Sequence, residues 1–371
     1  MEWIEQEARC EAFFSQLSEG TSLAVDTESN TFHHYNHRIC VVQIKVDGEV
    51  FAFDALALED VLSELLPKVL ETHSIRKILH SAHNDLLAFQ RDYGSNLANL
   101  FDTQLAATFL QLPYRSLSKI LEDFFQVKTN KRFQRFDWMR RPLPQEALHY
   151  AANDVLYLHE LARRFEKELE ASGWLEAYVQ EVDMLLQQTG YVAPVFSADH
   201  CLKIKGAKML SLEEQRVLRA LFVWRHETCV VKDVAAFKLV SDAQLLKLAQ
   251  RQPRSRKHLI DCSLKPSMVR RYGEGILEAI DAGLRDCRPF AKPEYGPRQP
   301  SISSELYDHL RIWRTEAAQR EGFESGFLLP NEQLKAILRL RPHSIEEFHQ
   351  IPTLTAWRIE RYGEEILAQL W

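Results

Sequence analysis

The sequence predicts a multi-domain chain, an α/β domain followed by two all-α helical domains, and three observations carry that prediction. At 371 residues the chain is longer than one hydrophobic core ordinarily organises, domains running to roughly 100 to 200 residues. Strand-like runs and helix–strand alternation occupy the stretch up to about residue 145, and almost purely helical periodicity follows. The helical half also repeats itself, with a period of about ninety residues.

The elements follow in order. Residues 21–54 read as strands: the apolar run at Leu23, Ala24 and Val25, then Ile39 to Val46, then Val50 to Phe53 after Asp47-Gly48. Asp-Gly between β-rich runs is a strong hairpin signal. Leu58 to Leu70 is expected as a helix, Lys77-Ile78-Leu79 as a short strand, and Asn84 to Tyr93 and Thr103 to Leu110 as helices. Pro289, Pro293, Pro297 and Pro300 read as a linker between helical modules. The expected domains are therefore 1–195, 210–288 and 300–371.

Composition narrows the class. Apolar residues make up 46% and charged residues 26% of the chain, which excludes a collagen-like or disordered protein. No apolar run approaches the roughly 18 residues of a membrane span, and the first ten residues carry three Glu where a signal peptide has Lys and Arg. The six cysteines show no C-x-x-C spacing, so neither a zinc site nor a disulfide framework is indicated, and a cytoplasmic location is expected. The net charge of -6 hides an asymmetry: residues 1–200 carry -12 and residues 201–371 carry +6. An acidic half suits divalent cations and a basic half suits a polyanion.

In the repeat, Leu221 to Arg225 (LFVWR) answers Leu310 to Arg314 (LRIWR), and Arg271-Tyr272-Gly273 answers Arg361-Tyr362-Gly363. Phe237 with Phe327 and Pro253 with Pro342 fall at matching distances, while Val240 stands where the second copy has Pro330. The pattern resembles the HRDC domain, a helical module associated with nucleic-acid binding. Trp224 and Trp313 are expected in module cores, leaving exposed cations such as those of Arg251 to Lys257 for binding.

Candidate chemistry lies in the first half. In VDTES, Asp26 and Glu28 sit two apart on a strand, so both carboxylates emerge on one face. Two buried like charges repel unless a cation neutralises them, and a hard divalent ion does so through oxygen. Asp85 opens a helix at the carboxyl end of a short strand. In HYAANDVLYLHEL, Tyr150 and Asp154 are four apart on a helix and share a face. His149 also stands at a spacing that suits a base; on a continuous helix it lies roughly 140° from Asp154, against roughly 40° for Tyr150.

The series D-x-E, then an Asp after a strand, then Y-x3-D resembles the DEDDy group of 3′–5′ exonucleases, and most closely the ribonuclease D family. The likeness extends to FDTQLAATFL (101–110), to DWMRRPL (137–143) and to the helical repeats. It implies a ribonuclease H-like exonuclease domain with a mixed sheet. It also implies Asp26, Glu28, Asp85 and Asp154 as ligands of two divalent ions, Mg²⁺ or Mn²⁺, with Tyr150 as the residue that activates water. The implied activity is removal of 3′-terminal nucleotides from RNA such as tRNA precursors and other structured RNA with 3′ tails, no protein partner being required. A DNA exonuclease and a catalytically idle RNA-binding scaffold are the alternatives. Lys128, Lys131, Arg132, Arg135, Arg140 and Arg141, interleaved with Phe133, Phe136 and Trp138, are expected to hold phosphates and to stack unpaired bases. His33, His34 and His37 are expected on a mobile loop, and Asp54 and Asp102 as structural caps. No P-loop motif occurs.

Overall fold

The computed structural model describes residues 1–128, 131–188, 190–291 and 302–371. Pro293, Pro297 and Pro300 of the expected linker lie outside them. Six strands, β1 (Glu2–Ile4), β2 (Ser22–Ser29), β3 (Ile39–Val46), β4 (Glu49–Asp54), β5 (Arg76–Leu79) and β6 (Leu100–Asp102), form one sheet in the order β1-β4-β3-β2-β5-β6. The sheet is mixed: β3 and β4 are an antiparallel hairpin, whereas β1 runs parallel to β4, and β5 runs parallel to both β2 and β6. The hairpin turn needs positive φ at both central residues; Asp47 adopts +49° and Gly48 +85°. Neither β1 nor β6 is apparent in the sequence pattern, because three residues are too few to show alternation.

Among the described residues, eight α-helices accompany the sheet: α1 (Glu7–Ser15), α2 (Glu59–Leu70), α3 (His83–Tyr93), α4 (Thr103–Phe109), α5 (Leu117–Phe125), α6 (Gln145–Leu156), α7 (Leu158–Ser172) and α8 (Leu175–Gln188). Val42, Ile44 and Val46 of β3 join Phe13 of α1 and Leu62 and Leu66 of α2 in the main core. Cys40 and Val41 with Ala52 of β4 instead meet Ala147, Leu148 and Ala151 of α6. This second cluster fixes α6 against the sheet. At the end of α6, Lys45 of β3 donates to the Leu156 carbonyl.

The chain forms two compact units. One joins Met1–Glu28, Ile39–Tyr191 and the C-terminal stretch ending at Trp371; the other joins Ser29–Arg38 to the stretch beginning at Val192. The second unit contains the first helical module, α9 (Leu212–Lys232), α10 (Ala236–Leu239), α11 (Asp242–Arg251), α12 (Arg256–Asp261) and α13 (Pro266–Arg285). Its segment Ser29–Arg38 is held rather than loose, in contrast to the mobile loop expected: Asp233 accepts from the Tyr35 and Asn36 amides at 3.1 and 2.8 Å, and its other oxygen lies 2.8 Å from His34 Nδ1.

The second module, α14 (Ser304–Glu321), α15 (Ser325–Leu328), α16 (Asn331–Leu340) and α17 (Ala356–Leu370), belongs to the first unit, and one core cluster runs from Ile4 to Leu370. Phe109 of α4 meets Phe327 and Trp357 with ring centroids 5.1 and 5.7 Å apart, and Trp174 meets Phe323 at 5.3 Å. Buried Arg358 pairs with Glu181 of α8, which also accepts from Thr355 Oγ1 and Trp357 Nε1 at 2.8 Å each.

Inside, the two copies match closely. Trp224 packs on Tyr272 at 6.4 Å and 73°, Trp313 on Tyr362 at 6.2 Å and 73°. Arg225 donates to the Val240 carbonyl and Asp242; Arg314 donates to the Leu329 carbonyl and Asn331. These bonds pair Val240 with Leu329, not with Pro330, whose counterpart is the helix-capping Ser241. The same 89-residue offset pairs Ala236–Leu239 with Ser325–Leu328, so Phe237 answers Gly326 and the inserted residue falls after Pro342. Among the described residues no helix is long and apolar enough to cross a membrane.

Candidate active site

β2 is flanked by β3 and β5, and its buried residues Leu23, Ala24 and Val25 anchor it before it delivers Asp26 and Glu28. α6, fixed through Ala147 and Ala151, delivers Asp154. A ligand oxygen from each of Asp26, Glu28 and Asp154 lies within 4.8 Å of the others. Asp85, in the first turn of α3, receives the Thr27 hydroxyl at 2.5 Å. α3 is tied down at its start by Asp102, which accepts from the Ser81 and Ala82 amides at 3.0 and 2.8 Å while capping α4. Asp102 is thus a structural cap, as expected, and also the anchor of Asp85. Thr27 was not anticipated; its place between the two strand carboxylates is the only sequence signal it leaves.

The electrostatics follow from crowding. Burial, then the charges of Asp85, Asp154 and Glu28, hold the Asp26 carboxyl well above the usual range, and burial with Asp154 and Asp85 does the same to Glu28. Burial pushes Asp154 up to about 7, against the opposing hydrogen bond from Tyr150. Burial raises Asp85 to about 6 although the Thr27 hydroxyl favours its anion. Such a set needs protons or cations, and an all-carboxylate donor set suits hard divalent ions. The residues therefore fit the metals that the sequence implies.

Tyr150 bonds Asp154 through its hydroxyl, and burial followed by the neighbouring carboxylates raises its pKa, so the phenol stays protonated. His149, one residue away, is exposed on the other flank of α6.

The basic segment separates into two groups. Lys128, Arg132, Arg135 and Arg140 are exposed. The side chain of Lys131 lies outside the described residues. Trp138, expected to stack a base, is 2% exposed and belongs to the cluster with α6, so its face is not open to a base. Arg141, expected on a phosphate, has every donor occupied. Nε and Nη2 bind the two Asp54 oxygens at 2.6 Å, Nη2 also reaches the Cys40 carbonyl at 3.0 Å, and Nη1 reaches the Trp138 and Arg140 carbonyls at 2.8 Å. A guanidinium has five N–H groups, and all five are used here. Asp54 also accepts from the Leu56 and Ala57 amides, which bears out its reading as a cap.

Comparison with known proteins agrees with this architecture. Residues 1–170 match the family model for a 3′–5′ exonuclease, and residues 214–280 and 303–370 each match the HRDC domain. The chain is 30% identical to a ribonuclease D of Shewanella sp. (strain ANA-3), over 75% of this chain and 71% of that one. It is 31% identical to the ribonuclease D of Haemophilus influenzae over 71% of this chain, and spans 66% of that protein's length, just under two thirds. Among solved structures, the catalytic core of RRP6 from Trypanosoma brucei superposes with a TM-score of 0.67 at 28% identity, covering 76% of this chain and 79% of the other.

Proposed function

Because the chain belongs to the ribonuclease D family, we propose that it is a 3′–5′ exoribonuclease that works with two divalent cations, Mg²⁺ or Mn²⁺. In this reading it removes 3′-terminal nucleotides from RNA in the cytoplasm and releases nucleoside 5′-monophosphates, with tRNA precursors and other structured RNAs bearing 3′ tails as substrates. The observation that carries the reading is the convergence of Asp26, Glu28 and Asp154 within 4.8 Å, with Tyr150 bonded to Asp154.

Asp26, Glu28, Asp154 and Asp85 would hold the cations. When bound, such ions supply the positive charge that stabilises the attacking and leaving oxygens of an in-line displacement. Burial and the carboxylates around it favour the proton on Tyr150 Oη. The phenol donates that proton in a hydrogen bond to Asp154, which fixes the carboxylate, and an Oη lone pair remains to accept a hydrogen bond from the attacking water. Thr27 orients Asp85 in the same manner. Lys128, Arg132 and Arg135, exposed on the segment that leads to α6, supply phosphate contacts.

The test is incubation with 3′-tailed RNA and with DNA of matching sequence, in Mg²⁺, Mn²⁺ or EDTA. Stepwise shortening of RNA from its 3′ end to 5′-monophosphates, lost in EDTA, is expected. Cleavage that survives EDTA, or DNA degraded faster than RNA, would contradict it.

A further inference from the structure

Tyr150 sits in an aromatic slot. The Phe133 ring lies 5.8 Å from it at 37° and the Trp138 ring 6.3 Å away at 36°, while Phe136 stands edge-on to Trp138 at 5.2 Å and 77°. Tyr150 itself is half-buried, whereas Phe133 and Trp138 are 5% and 2% exposed, so the wall is more firmly packed than the ring it holds. The wall is fixed to the sheet by Arg141, which binds the Trp138 carbonyl, the Cys40 carbonyl of β3 and Asp54 at the end of β4. β2, which carries Asp26 and Glu28, lies next to β3 in the same sheet.

We propose that Trp138, held by Arg141, is a positioning residue for Tyr150: with Phe133 it fixes the phenol ring so that its hydroxyl stays on Asp154. A tyrosine on a helix surface has several rotamers open to it, and only one keeps Oη on a carboxylate one turn away. Offset aromatic neighbours on a fixed wall remove the alternatives, and misplacement by a fraction of an ångström at such a group is enough to slow a reaction. This proposal rests on the role assigned above to Tyr150 and names the device that makes the role possible.

The experiment is a double-mutant cycle in the full chain. Trp138→Leu, Trp138→Phe, Tyr150→Phe and the double variant Trp138→Leu/Tyr150→Phe are assayed for kcat and KM on single-stranded RNA and for Mn²⁺ affinity by calorimetry. Trp138→Leu should lower kcat by about tenfold or more, with KM and Mn²⁺ affinity within about twofold of the parent, and Trp138→Phe should restore most of the rate. In the Tyr150→Phe background the same substitution should cost less than about twofold, because no hydroxyl remains to be aimed. A further tenfold or so loss in that background overturns the proposal while leaving the role of Tyr150 intact. A Tyr150→Phe enzyme as fast as the parent overturns the role of Tyr150 and the proposal with it. Should Trp138→Leu fail to fold, Arg141→Lys, which keeps the indole but cannot make five hydrogen bonds, reads the same cycle: non-additivity with Tyr150→Phe supports the proposal and additivity overturns it.

Discussion

The carboxylate cluster and the basic aromatic segment 131–141 carry charges of opposite sign and end up organised in opposite ways. In the cluster, residues far apart in sequence bring like charges together, and the repulsion is left for a cation to relieve. In the segment, neighbouring residues part company: Arg132 and Arg135 face solvent while Phe133, Trp138 and Arg141 turn inward to support α6. A like-charge cluster that survives in a fold points to a ligand. A basic aromatic stretch does not, because a guanidinium can be used up entirely by carbonyls and one carboxylate.

The sharpest way to break this contrast is to neutralise the cluster. Asp26→Asn or Asp154→Asn should reduce hydrolysis to below a few per cent of the parent while RNA binding persists, as single-turnover assays and filter binding would show. Substantial residual hydrolysis would mean that the convergence serves no metal. Tyr150→Phe should cost about two orders of magnitude in kcat, the usual scale for losing one preorganised hydrogen bond at the reacting groups, and His149→Ala should be mild. The reverse order of rates would shift the water-orienting role to His149.

A third prediction concerns pH without metal. Asp85 at about 6 and Asp154 at about 7 hold protons in the folded state that the unfolded chain releases near pH 4. Their folded pKa values are raised, so their contribution favours the fold at low pH and is lost as pH rises from about 4 to about 7. In EDTA the melting temperature should fall across that window, Asp154→Asn should fall less steeply, and Mn²⁺ should flatten the parent's curve. A parent and a variant with parallel curves would mean that the cluster is not under repulsion. The smallest effect belongs to the outward cations. Arg132→Gln and Arg135→Gln should leave kcat nearly unchanged and flatten the slope of log affinity against log salt by about 0.7 for each lost contact with single-stranded RNA. An unaltered slope would assign them to the solvated surface.

Much of the site was legible because its chemistry demands residue types at fixed spacings: Asp26 and Glu28 two apart on a strand, Tyr150 and Asp154 four apart on a helix. What the sequence could not convey was burial and long-range partnership. Trp138 and Arg141 have the composition of a nucleic-acid patch, and only the fold reveals that Arg141 reaches Asp54, 87 residues away. The repeat showed that the helical modules are duplicates, since their Trp–Tyr and Arg–carbonyl contacts are internal and shared. It gave no warning that one copy joins the α/β core. That information lies where the copies differ: Phe323, Phe327, Trp357 and Arg358, at the α/β interface, stand where the first copy has Val234, Lys238, Ser267 and Met268.

That shared core sets a timetable for synthesis. Ile4 and Leu370 belong to one cluster, so the core of the unit that carries the carboxylate site is incomplete until α17 has been made. Ribosomes add about 5 to 20 residues per second, and the faces of α4 and α8 that meet α17 therefore wait, partly uncovered, until that helix emerges. A message cut short before that helix yields a polypeptide in which Phe109 and Trp174 lack Trp357. Chaperones and proteases act on chains left incompletely packed in this way. Through this arrangement the carboxylate site, built from residues made early, depends for its completed core on a helix made much later.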